Sequence, residues 1–259
     1  MTAGYLQKFR AAKEAEIAAL KENPPAGQIR TDKLDFLKSL RKGVREKGLA
    51  VIAEYKRASP SRGAINLTLT PQEAGAAFQE AQALSVLTEE TYFQGHLDYI
   101  AQLASFGRPI LRKDFIFHPL QVQATGQTRA SAVLLIVRLT PEEKLLAELL
   151  ELARHYRLAA VTEVLDEEDL LCARRAGAEI IQVNARNLDS LKMDSQKQIQ
   201  LIRKFPPREK EFWIAASGAA GPGDLKRARE AGFGAVLAGS CLMEAPDPRQ
   251  ALAGLLAEY

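Results

Sequence analysis

Residues whose side chains can transfer protons follow three short apolar segments of the sequence. Lys113 stands at the end of one segment and Glu163 at the end of another. Glu54 and Lys56, two positions apart and therefore on one side of a strand, end the third. Lysine and glutamate act as general acids and bases. A charged residue at the carboxyl end of a buried parallel strand lies where a (βα)8 barrel builds its active site. The segments therefore predict one shared pocket.

Two Gly-Ser pairs predict a phosphate-binding subsite. Ser217-Gly218 and Gly239-Ser240 follow the last two apolar segments of the chain. In (βα)8 barrels, the loops after strands seven and eight recurrently bind phosphate through backbone N–H groups and a helix N-terminus. Glycine lets the backbone approach the phosphate oxygens closely. The predicted substrate is therefore a phosphate ester.

Other classes of site find no support in the sequence. The net charge is only +3, and the Lys and Arg residues are scattered, so no nucleic-acid groove is predicted. His96, His118 and His155 lack the spacing of metal ligands, so no metal is expected. Cys172 and Cys241 are far apart and suggest neither a disulfide framework nor a metal site.

The N-terminal residues and the hydropathy of the chain predict where in the cell the protein resides. Residues 1–10 lack the apolar core of a signal peptide. No apolar run approaches the roughly 20 residues that a membrane span needs. We expect a cytoplasmic monomer that has no membrane partner.

Short apolar segments alternate with longer helical patterns from residue 49 onward. The predicted strands are 49–55, 83–87, 109–113, 132–137, 159–163, 179–183, 212–216 and 235–238. The predicted helices are 71–82, 95–106, 119–128, 141–156, 166–176, 195–205, 222–231 and 247–257. Regular strand–helix alternation predicts a parallel sheet. Eight units within about 210 residues favour closure into a TIM barrel over an open sheet.

We expect a single α/β domain over residues 1–259, of which residues 1–48 are an N-terminal helical extension. Residues 5–22 predict one helix, and residues 33–42 predict a second that Gly43 closes. An open dinucleotide-binding sheet would require G-x-G-x-x-G after the first strand, and the turn at 59–63 reads SPSRG instead.

Several segments, in chain order, resemble the indole-3-glycerol phosphate synthase family. They are IAEYKRASPS at 52–61, SVLTE at 85–89, YFQG at 92–95, LRKDF at 111–115, NARNL at 184–188 and GSCLM at 239–243. Extra helices before the barrel are also a family feature. The resemblance implies a (βα)8 barrel and a carboxy-lyase of tryptophan biosynthesis.

The resemblance further implies a reaction and the residues that carry it out. The substrate would be 1-(2-carboxyphenylamino)-1-deoxyribulose 5-phosphate, which cyclises and loses carbon dioxide and then water, without a cofactor. Lys113 is implied as the acid that protonates the ketone, and Glu54 as the carboxylate that holds the lysine network. Glu163 is implied as the general acid/base of dehydration, with Lys56 beside it. Asn184 is implied to hydrogen-bond the ribulose part.

The remaining residues implied by the resemblance bind the substrate. Arg186 would lie near the anthranilate carboxylate, which a planar guanidinium can meet bidentately. The others are Ser59, Pro60, Phe93, Phe115, Leu134 and Leu188, the apolar members of which would form a slot for the aromatic ring. The phosphate would lie at Ser217, Gly218, Gly239 and Ser240.

One departure from the family pattern leaves alternatives open. The family usually has a glutamate just before the serine-glycine after strand seven, and this sequence has Ala216. Ala216 favours a catalytically weakened barrel that mainly binds a phosphate ligand. A phosphoribosylanthranilate isomerase-like enzyme is a further alternative. It would require a cysteine at the end of strand one, where none occurs.

Overall fold

The computed structural model describes residues 4–188 and 190–257. Eight parallel strands close into a barrel. They are β1 (Ala50–Tyr55), β2 (Ala83–Leu87), β3 (Ile110–Lys113), β4 (Ala132–Ile136), β5 (Ala159–Val164), β6 (Ile180–Asn184), β7 (Phe212–Ala216) and β8 (Ala235–Ala238). Each strand pairs with the next, and β8 pairs with β1. The predicted TIM barrel is confirmed.

Helices precede the barrel and connect its strands. They are α1 (Tyr5–Ala11), α2 (Glu14–Glu22), α3 (Phe36–Lys47), α4 (Pro71–Ala77), α5 (Tyr99–Ala104), α6 (Pro119–Gln127), α7 (Glu143–His155), α8 (Glu167–Arg175), α9 (Ser195–Lys204), α10 (Pro222–Ala231), α11 (Ser240–Met243) and α12 (Pro248–Leu256). A short hairpin, Ala58–Ser59 with Gly63–Ala64, and a 3-10 turn, Val137–Leu139, complete the elements described. Neither of these, nor α11, is predicted by the sequence patterns.

The N-terminal extension differs from its prediction in two places. Residues 5–22 form two helices rather than one, with a break at residues 12–13. The next helix is α3 rather than 33–42, because Asp35 caps its start by accepting a hydrogen bond from the Lys38 N–H at 2.8 Å, and Gly48 ends it at φ 79°. Gly43 lies inside α3 and does not close it. A Cβ there would come within 2.6 Å of the Gln82 Cγ, so the glycine permits close packing.

Side chains alternate between the barrel interior and the helix layer, as the strand period requires. On β1, Ala50 and Ile52 belong to the interior cluster, whereas Val51 and Ala53 pack in the layer between strands and helices. The interior is apolar along most of the barrel and becomes polar where the strands end. This change in polarity places the charged residues at one mouth of the barrel.

The extension packs directly onto the barrel. Phe9 of α1, Ile17 of α2 and Phe36 of α3 are buried in the same cluster as the interior residues of the strands. Burial of each such side chain contributes about 1.5–3 kcal/mol. The extension is therefore held by apolar packing as well as by the polar contacts described below. Within the described ranges, no helix combines the length and apolar character needed to cross a bilayer.

Candidate active site

One pocket at the carboxyl ends of the strands brings together all of the site residues predicted from the sequence. They are Glu54, Lys56, Ser59, Pro60, Phe93, Lys113, Phe115, Leu134, Glu163, Asn184, Arg186, Leu188, Ser217, Gly218, Gly239 and Ser240. The pocket is where a (βα)8 barrel carries its chemistry, because the loops that follow the strands meet there. The roles of these residues stay predictions.

Two lysines share one buried carboxylate in the pocket. The Lys56 Nζ lies 2.9 Å from Glu54 Oε1, and the Lys113 Nζ lies 3.8 Å from Glu54 Oε2. Burial of Glu54 opposes its ionisation, but the charges of Lys56 and Lys113 outweigh burial and hold the pKa of Glu54 below its ordinary value. Glu54 is therefore ionised at neutral pH and keeps two cations at the reacting end of the pocket.

A second carboxylate is held by amide groups rather than by cations. The Asn184 Nδ2 donates to Glu163 Oε1 at 3.0 Å, and the Gln182 Nε2 donates to Glu163 Oε2 at 2.6 Å. The Arg186 backbone N–H donates to Asn184 Oδ1 at 2.9 Å, which fixes the orientation of that amide. The sequence analysis missed Gln182. The sequence signal that could have revealed Gln182 is a polar residue two positions before Asn184, on the same inward face of the strand.

The charged neighbours of Lys113 anchor the N-terminal extension, and Asp114 also lines the pocket. Arg112 and Asp114 are buried, and the Arg112 guanidinium lies 2.9 Å from Asp114 Oδ2. The Lys13 Nζ reaches Asp114 Oδ1 and Glu16 Oε2, both at 2.7 Å. Glu16 Oε1 also accepts from Arg112 at 3.0 Å. The extension is thus fastened by charge to the strand that carries Lys113, a contact that the sequence analysis missed.

Aromatic rings form the wall of the pocket beside β3. The Phe115 ring stacks on the Phe9 ring of α1, with centroids 4.2 Å apart and an interplanar angle of 9°. The Phe93 ring is tilted against Phe115 at 6.0 Å. Glu89 holds the loop that carries Phe93 by accepting from its backbone N–H at 3.0 Å. Because Phe9 lines the pocket, the extension contributes to the site, which the sequence analysis did not predict.

Arg186 also lines the pocket. Its guanidinium donates to the Leu191 carbonyl at 3.0 Å and contacts the Met193 Sδ at 3.7 Å. Burial, together with the nearby charge of Arg62, lowers the pKa of Arg186 from its ordinary value. The pair of guanidinium groups gives this part of the pocket a positive potential that suits an anionic substrate.

The predicted phosphate loops have the expected backbone character at β7. Ser217 has φ 65° and Gly218 has φ 90°, so the chain turns left-handed directly after β7. A Cβ at Gly218 would also lie 2.6 Å from the Ser195 Oγ, which leaves no room for a side chain. Ser240 begins α11, and the first N–H groups of a helix have no intrahelical acceptor. Both loops can therefore present donors to an anion.

Gly239, which the sequence predicts to bind phosphate, also packs closely against Glu54. A Cβ at Gly239 would lie 2.5 Å from Glu54 Oε1, closer than real Cβ contacts allow. The glycine makes room for the carboxylate that holds both lysines, and it thereby links the phosphate loop to the Glu54 cluster.

Comparison with known proteins identifies the family. The family model for indole-3-glycerol phosphate synthase matches residues 6–255. The chain belongs to the indole-3-glycerol phosphate synthase family. The proposed resemblance is confirmed, and the match includes the N-terminal extension.

Individual indole-3-glycerol phosphate synthases resemble the chain over nearly its whole length. The protein of Verminephrobacter eiseniae (strain EF01-2) is 35% identical and aligns 97% of this chain with 98% of its own. That of Mycobacterium sp. (strain KMS) is 40% identical, over 95% of this chain and 89% of its own. Among solved structures, a 3-hexulose-6-phosphate synthase covers 81% of this chain and 99% of its own at TM-score 0.66 and 16% identity. The last likeness shows the barrel fold alone.

Ala216 is the departure from the usual indole-3-glycerol phosphate synthase pattern, and the structure places it at the pocket. It is buried, lines the cavity and pairs in register with Asn184 of β6. Its carbonyl accepts from the Gln198 Nε2 at 2.9 Å. A methyl group at this point supplies no hydrogen-bond acceptor to the pocket, so any role of a family carboxylate falls to other residues.

The described residues show no cluster of side chains that would hold a metal ion. The side chains of Lys56, Arg62, Lys113 and Arg186 contribute positive charge to the pocket. Cys172 and Cys241 have free thiols. Cys241 lines the pocket, and burial raises the pKa of its thiol. The thiol is therefore protonated at neutral pH and a poor nucleophile.

Proposed function

We propose that this chain converts 1-(2-carboxyphenylamino)-1-deoxyribulose 5-phosphate into indole-3-glycerol phosphate, carbon dioxide and water. One observation carries the proposal: Lys113 and Lys56 flank Glu54 in a pocket that also holds Glu163 and ends at two glycine-serine loops. The loops suit the phosphate, the aromatic wall suits the anthranilate ring, and the charged groups that could make and break bonds line the same pocket. Family membership supports the same reaction.

Ring closure needs an acid. The aromatic carbon that carries the carboxylate attacks the ketone carbon, and the carbonyl electron pair moves to oxygen, which takes a proton. We assign that proton to Lys113. At 3.8 Å from Glu54, Lys113 is paired electrostatically without a normal hydrogen bond, so its N–H groups stay available to the ketone. General acid catalysis of this kind contributes typically about 10²–10⁴-fold.

Decarboxylation follows from the structure of the cyclised intermediate. The bond between the ring carbon and the carboxylate breaks, carbon dioxide leaves, and the electron pair restores the aromatic ring. Phe115 and Leu134 are buried and line the pocket. We assign them to the wall beside the departing carboxylate. A water-poor apolar wall favours conversion of the carboxylate into neutral carbon dioxide, because the charge loses solvation there.

Dehydration requires removal of a proton from carbon and protonation of the departing hydroxyl. We assign the first to Glu163 and the second to Lys56. Asn184 and Gln182 orient both oxygens of Glu163, and Glu54 holds Lys56 at 2.9 Å. The proton taken by Glu163 and the proton lost by Lys56 balance over the step, so water leaves and the indole ring forms.

The direct test is to incubate the protein with the carboxyphenylamino-deoxyribulose phosphate and to follow indole fluorescence. We expect turnover that inorganic phosphate inhibits competitively. Absence of signal at high enzyme concentration, with substrate binding still detected by calorimetry, would select the weakened barrel that Ala216 favours. Absence of both would contradict the proposal.

The Ala216→Glu variant distinguishes an enzyme that is slowed by the missing carboxylate from an enzyme whose pocket has adapted to alanine. A carboxylate here can accept a hydrogen bond from a catalytic lysine or from the sugar hydroxyls. If its loss slowed the enzyme, restoring it should raise kcat/KM by about ten- to a hundredfold, the equivalent of one charge-assisted hydrogen bond. The control is Ala216→Gln, which has similar size and no charge. A folded Ala216→Glu variant that is no faster would show that the pocket has adapted to alanine.

We also propose that the chain acts as a monomer in the cytoplasm. Its own extension supplies Phe9 to the pocket, so a second copy is not needed to complete the site. The free thiols Cys172 and Cys241 suit a reducing compartment. Light scattering coupled to gel filtration tests the first statement, and a fluorescent fusion expressed in the source cells tests the second.

A further inference from the structure

Gln182 is a buried amide that only half uses its hydrogen-bonding capacity. Its side chain lies inside the barrel, and the residue is 0% exposed. The Nε2 donates to Glu163 Oε2 at 2.6 Å. The Oε1 has no hydrogen-bond partner among the described residues. A buried acceptor without a partner lowers stability, and such conflicts occur at functional sites.

Asn184 and Gln182 both hold Glu163 but differ in their freedom. The Asn184 Oδ1 accepts from the Arg186 backbone N–H at 2.9 Å, so rotation of that amide would break a second hydrogen bond. Asn184 can therefore only donate to Glu163. Rotation of the Gln182 amide breaks only its bond to Glu163, because its oxygen is uncommitted. Gln182, unlike Asn184, can therefore change from a hydrogen-bond donor to a hydrogen-bond acceptor towards Glu163.

A buried carboxylate that acts as both acid and base needs a hydrogen-bond donor when it is ionised and a hydrogen-bond acceptor when it is protonated. As a carboxylate, Glu163 accepts hydrogen bonds, which favour its ionised form. As a carboxylic acid it carries one O–H that must find an acceptor when buried. The Gln182 Nε2 serves the first state, and the Gln182 Oε1, brought round by rotation of the amide, serves the second.

We propose that Gln182 is a positioning residue that holds Glu163 in both of its protonation states. The inference rests on the role of Glu163 in the function proposed above. When Glu163 takes a proton from the substrate carbon, the proton resides on Oε2, and the amide turns to accept it. When the proton departs, the amide turns back and donates. No bond to Gln182 itself forms or breaks other than these hydrogen bonds.

A titration that does not depend on turnover tests the proposal. Infrared difference spectra of the ligand-free protein, with Glu163→Gln used to identify the band, follow protonation of Glu163 with pH. In Gln182→Leu the ionised form loses a charge-assisted donor and the protonated form loses a weaker neutral acceptor, so we expect the midpoint to move to higher pH. The C=O band of protonated Glu163 should also shift, because its O–H loses its acceptor, and an unshifted band would contradict the acceptor role. Gln182→Met, which keeps the length of the side chain, should give the same shift and serves if the leucine variant does not fold.

Thr162→Val is the matched control. Thr162 lies beside Glu163 on β5, is equally buried, and has a hydroxyl oxygen with no partner among the described residues. Its side chain lies on the opposite face of the strand from Glu163. The substitution therefore removes a buried unpaired polar atom without touching the carboxylate, and we expect no movement of the midpoint. A shift in this control equal to that of Gln182→Leu would overturn the proposal, as would an unmoved midpoint in both Gln182 variants.

The kinetic readout is a fall in kcat of about ten- to a hundredfold in Gln182→Leu with KM little changed. The acidic limb of the kcat profile should move to higher pH together with the infrared midpoint. A fall in kcat without movement of the limb would mean that Gln182 is merely structural. An inactive wild type would contradict the proposed function, and the infrared titration would still decide the role of Gln182.

Discussion

Two clusters of charge lie on either side of β3, and they differ in how completely their members are paired. The pocket cluster consists of Glu54, Lys56 and Lys113. The anchor cluster consists of Lys13, Glu16, Arg112 and Asp114. Lys113 and Arg112 are consecutive residues, and the alternation of side chains along a strand sends them to opposite faces.

In the anchor cluster, both oxygens of Asp114 have several partners. Oδ1 meets the Lys13 Nζ at 2.7 Å and accepts from the Phe115 N–H at 2.8 Å. Oδ2 meets Arg112 at 2.9 Å and accepts from the Thr88 hydroxyl at 2.6 Å. Buried charges are tolerated when they are paired and hydrogen-bonded in this way. The anchor cluster therefore holds the extension in place, and both oxygens of Asp114 are fully engaged within it.

The pocket cluster is left incomplete. Glu54 Oε2 has no hydrogen-bond partner among the described residues, and the Lys113 side chain keeps 19% of its surface exposed. The pairing of lysine with carboxylate is thus complete where it holds the extension and incomplete in the pocket, where we propose that it serves the chemistry. We propose that, of these two clusters, the completely paired one is structural and the incompletely paired one is reactive.

The largest expected effect comes from Lys113→Ala. We expect kcat to fall by about 10²–10⁴-fold, because the ketone loses its acid. Urea unfolding should change little, since the side chain is only loosely paired. Lys113→Arg should also fail, because guanidinium does not readily give up a proton. A kcat of the alanine variant within tenfold of the wild type would contradict the role of Lys113.

Asp114→Asn should have the opposite signature. It leaves two buried cations without their shared carboxylate, and breaking such a network costs about 3–5 kcal/mol in the free energy of unfolding. Burial opposes ionisation of Asp114, but Arg112 and Lys13 outweigh it and lower its pKa. The stabilisation is therefore present above the ordinary pKa of aspartate and is lost as pH falls through the lowered value. Urea unfolding at several pH values measures both, and the asparagine variant should lose this part of the acid dependence. A fall in kcat as large as that of Lys113→Ala would contradict the assignment of a structural role to the anchor cluster.

Gly239→Ala tests the link between the pocket cluster and the phosphate loop. The new methyl carbon would lie 2.5 Å from Glu54 Oε1, so the carboxylate must move. Displacement of a catalytic group by about 1 Å can cost about a hundredfold in rate. We expect kcat to fall more than phosphate affinity does, measured by inhibition with inorganic phosphate. Weaker phosphate binding with unchanged kcat would instead mean that the glycine serves only the phosphate.

The smallest expected effect, on stability, comes from substitution of Lys33. This residue lies outside both clusters and is the least completely paired of the charged residues compared here. Its Nζ is buried with no hydrogen-bond partner among the described residues. Burial and the charge of Arg30, only partly offset by Asp32, lower the pKa of Lys33 to about 8. Because the unfolded chain binds this proton more tightly, Lys33 destabilises the fold at neutral pH, and stability recovers as pH rises from about 8 towards the ordinary value of 10.5.

Lys33→Met should therefore stabilise the protein at pH 7 by about 1 kcal/mol, a value reduced by solvent screening. The gain should shrink towards pH 10.5, the ordinary value for lysine. Urea unfolding at the two pH values measures it, with Lys38→Met on the exposed face of α3 as the control. An equal gain at both pH values would show that the charge of Lys33 is not the cause.

The sequence by itself determined the barrel and the composition of its mouth. Strand–helix alternation is a local signal, and so is a lysine or glutamate at the end of an apolar segment. The predicted strands therefore agree closely with the structure, and the predicted site residues line one pocket. The boundaries of α1, α2 and α3 were harder to predict, because Gly43 looks like a helix end in the sequence, whereas Gly48, in a left-handed conformation, ends the helix.

Only the tertiary structure decided which residues become neighbours. Lys13 meets Asp114, and Phe9 meets Phe115, because the extension folds back over the end of β3. Gly239 approaches Glu54 because barrel closure places β8 beside β1, with Ala53 opposite Ala238. Periodicity along a chain reports which face a residue occupies, and it carries no information about the distant residue that shares that face. That partner is set by closure of the sheet and by packing of the extension.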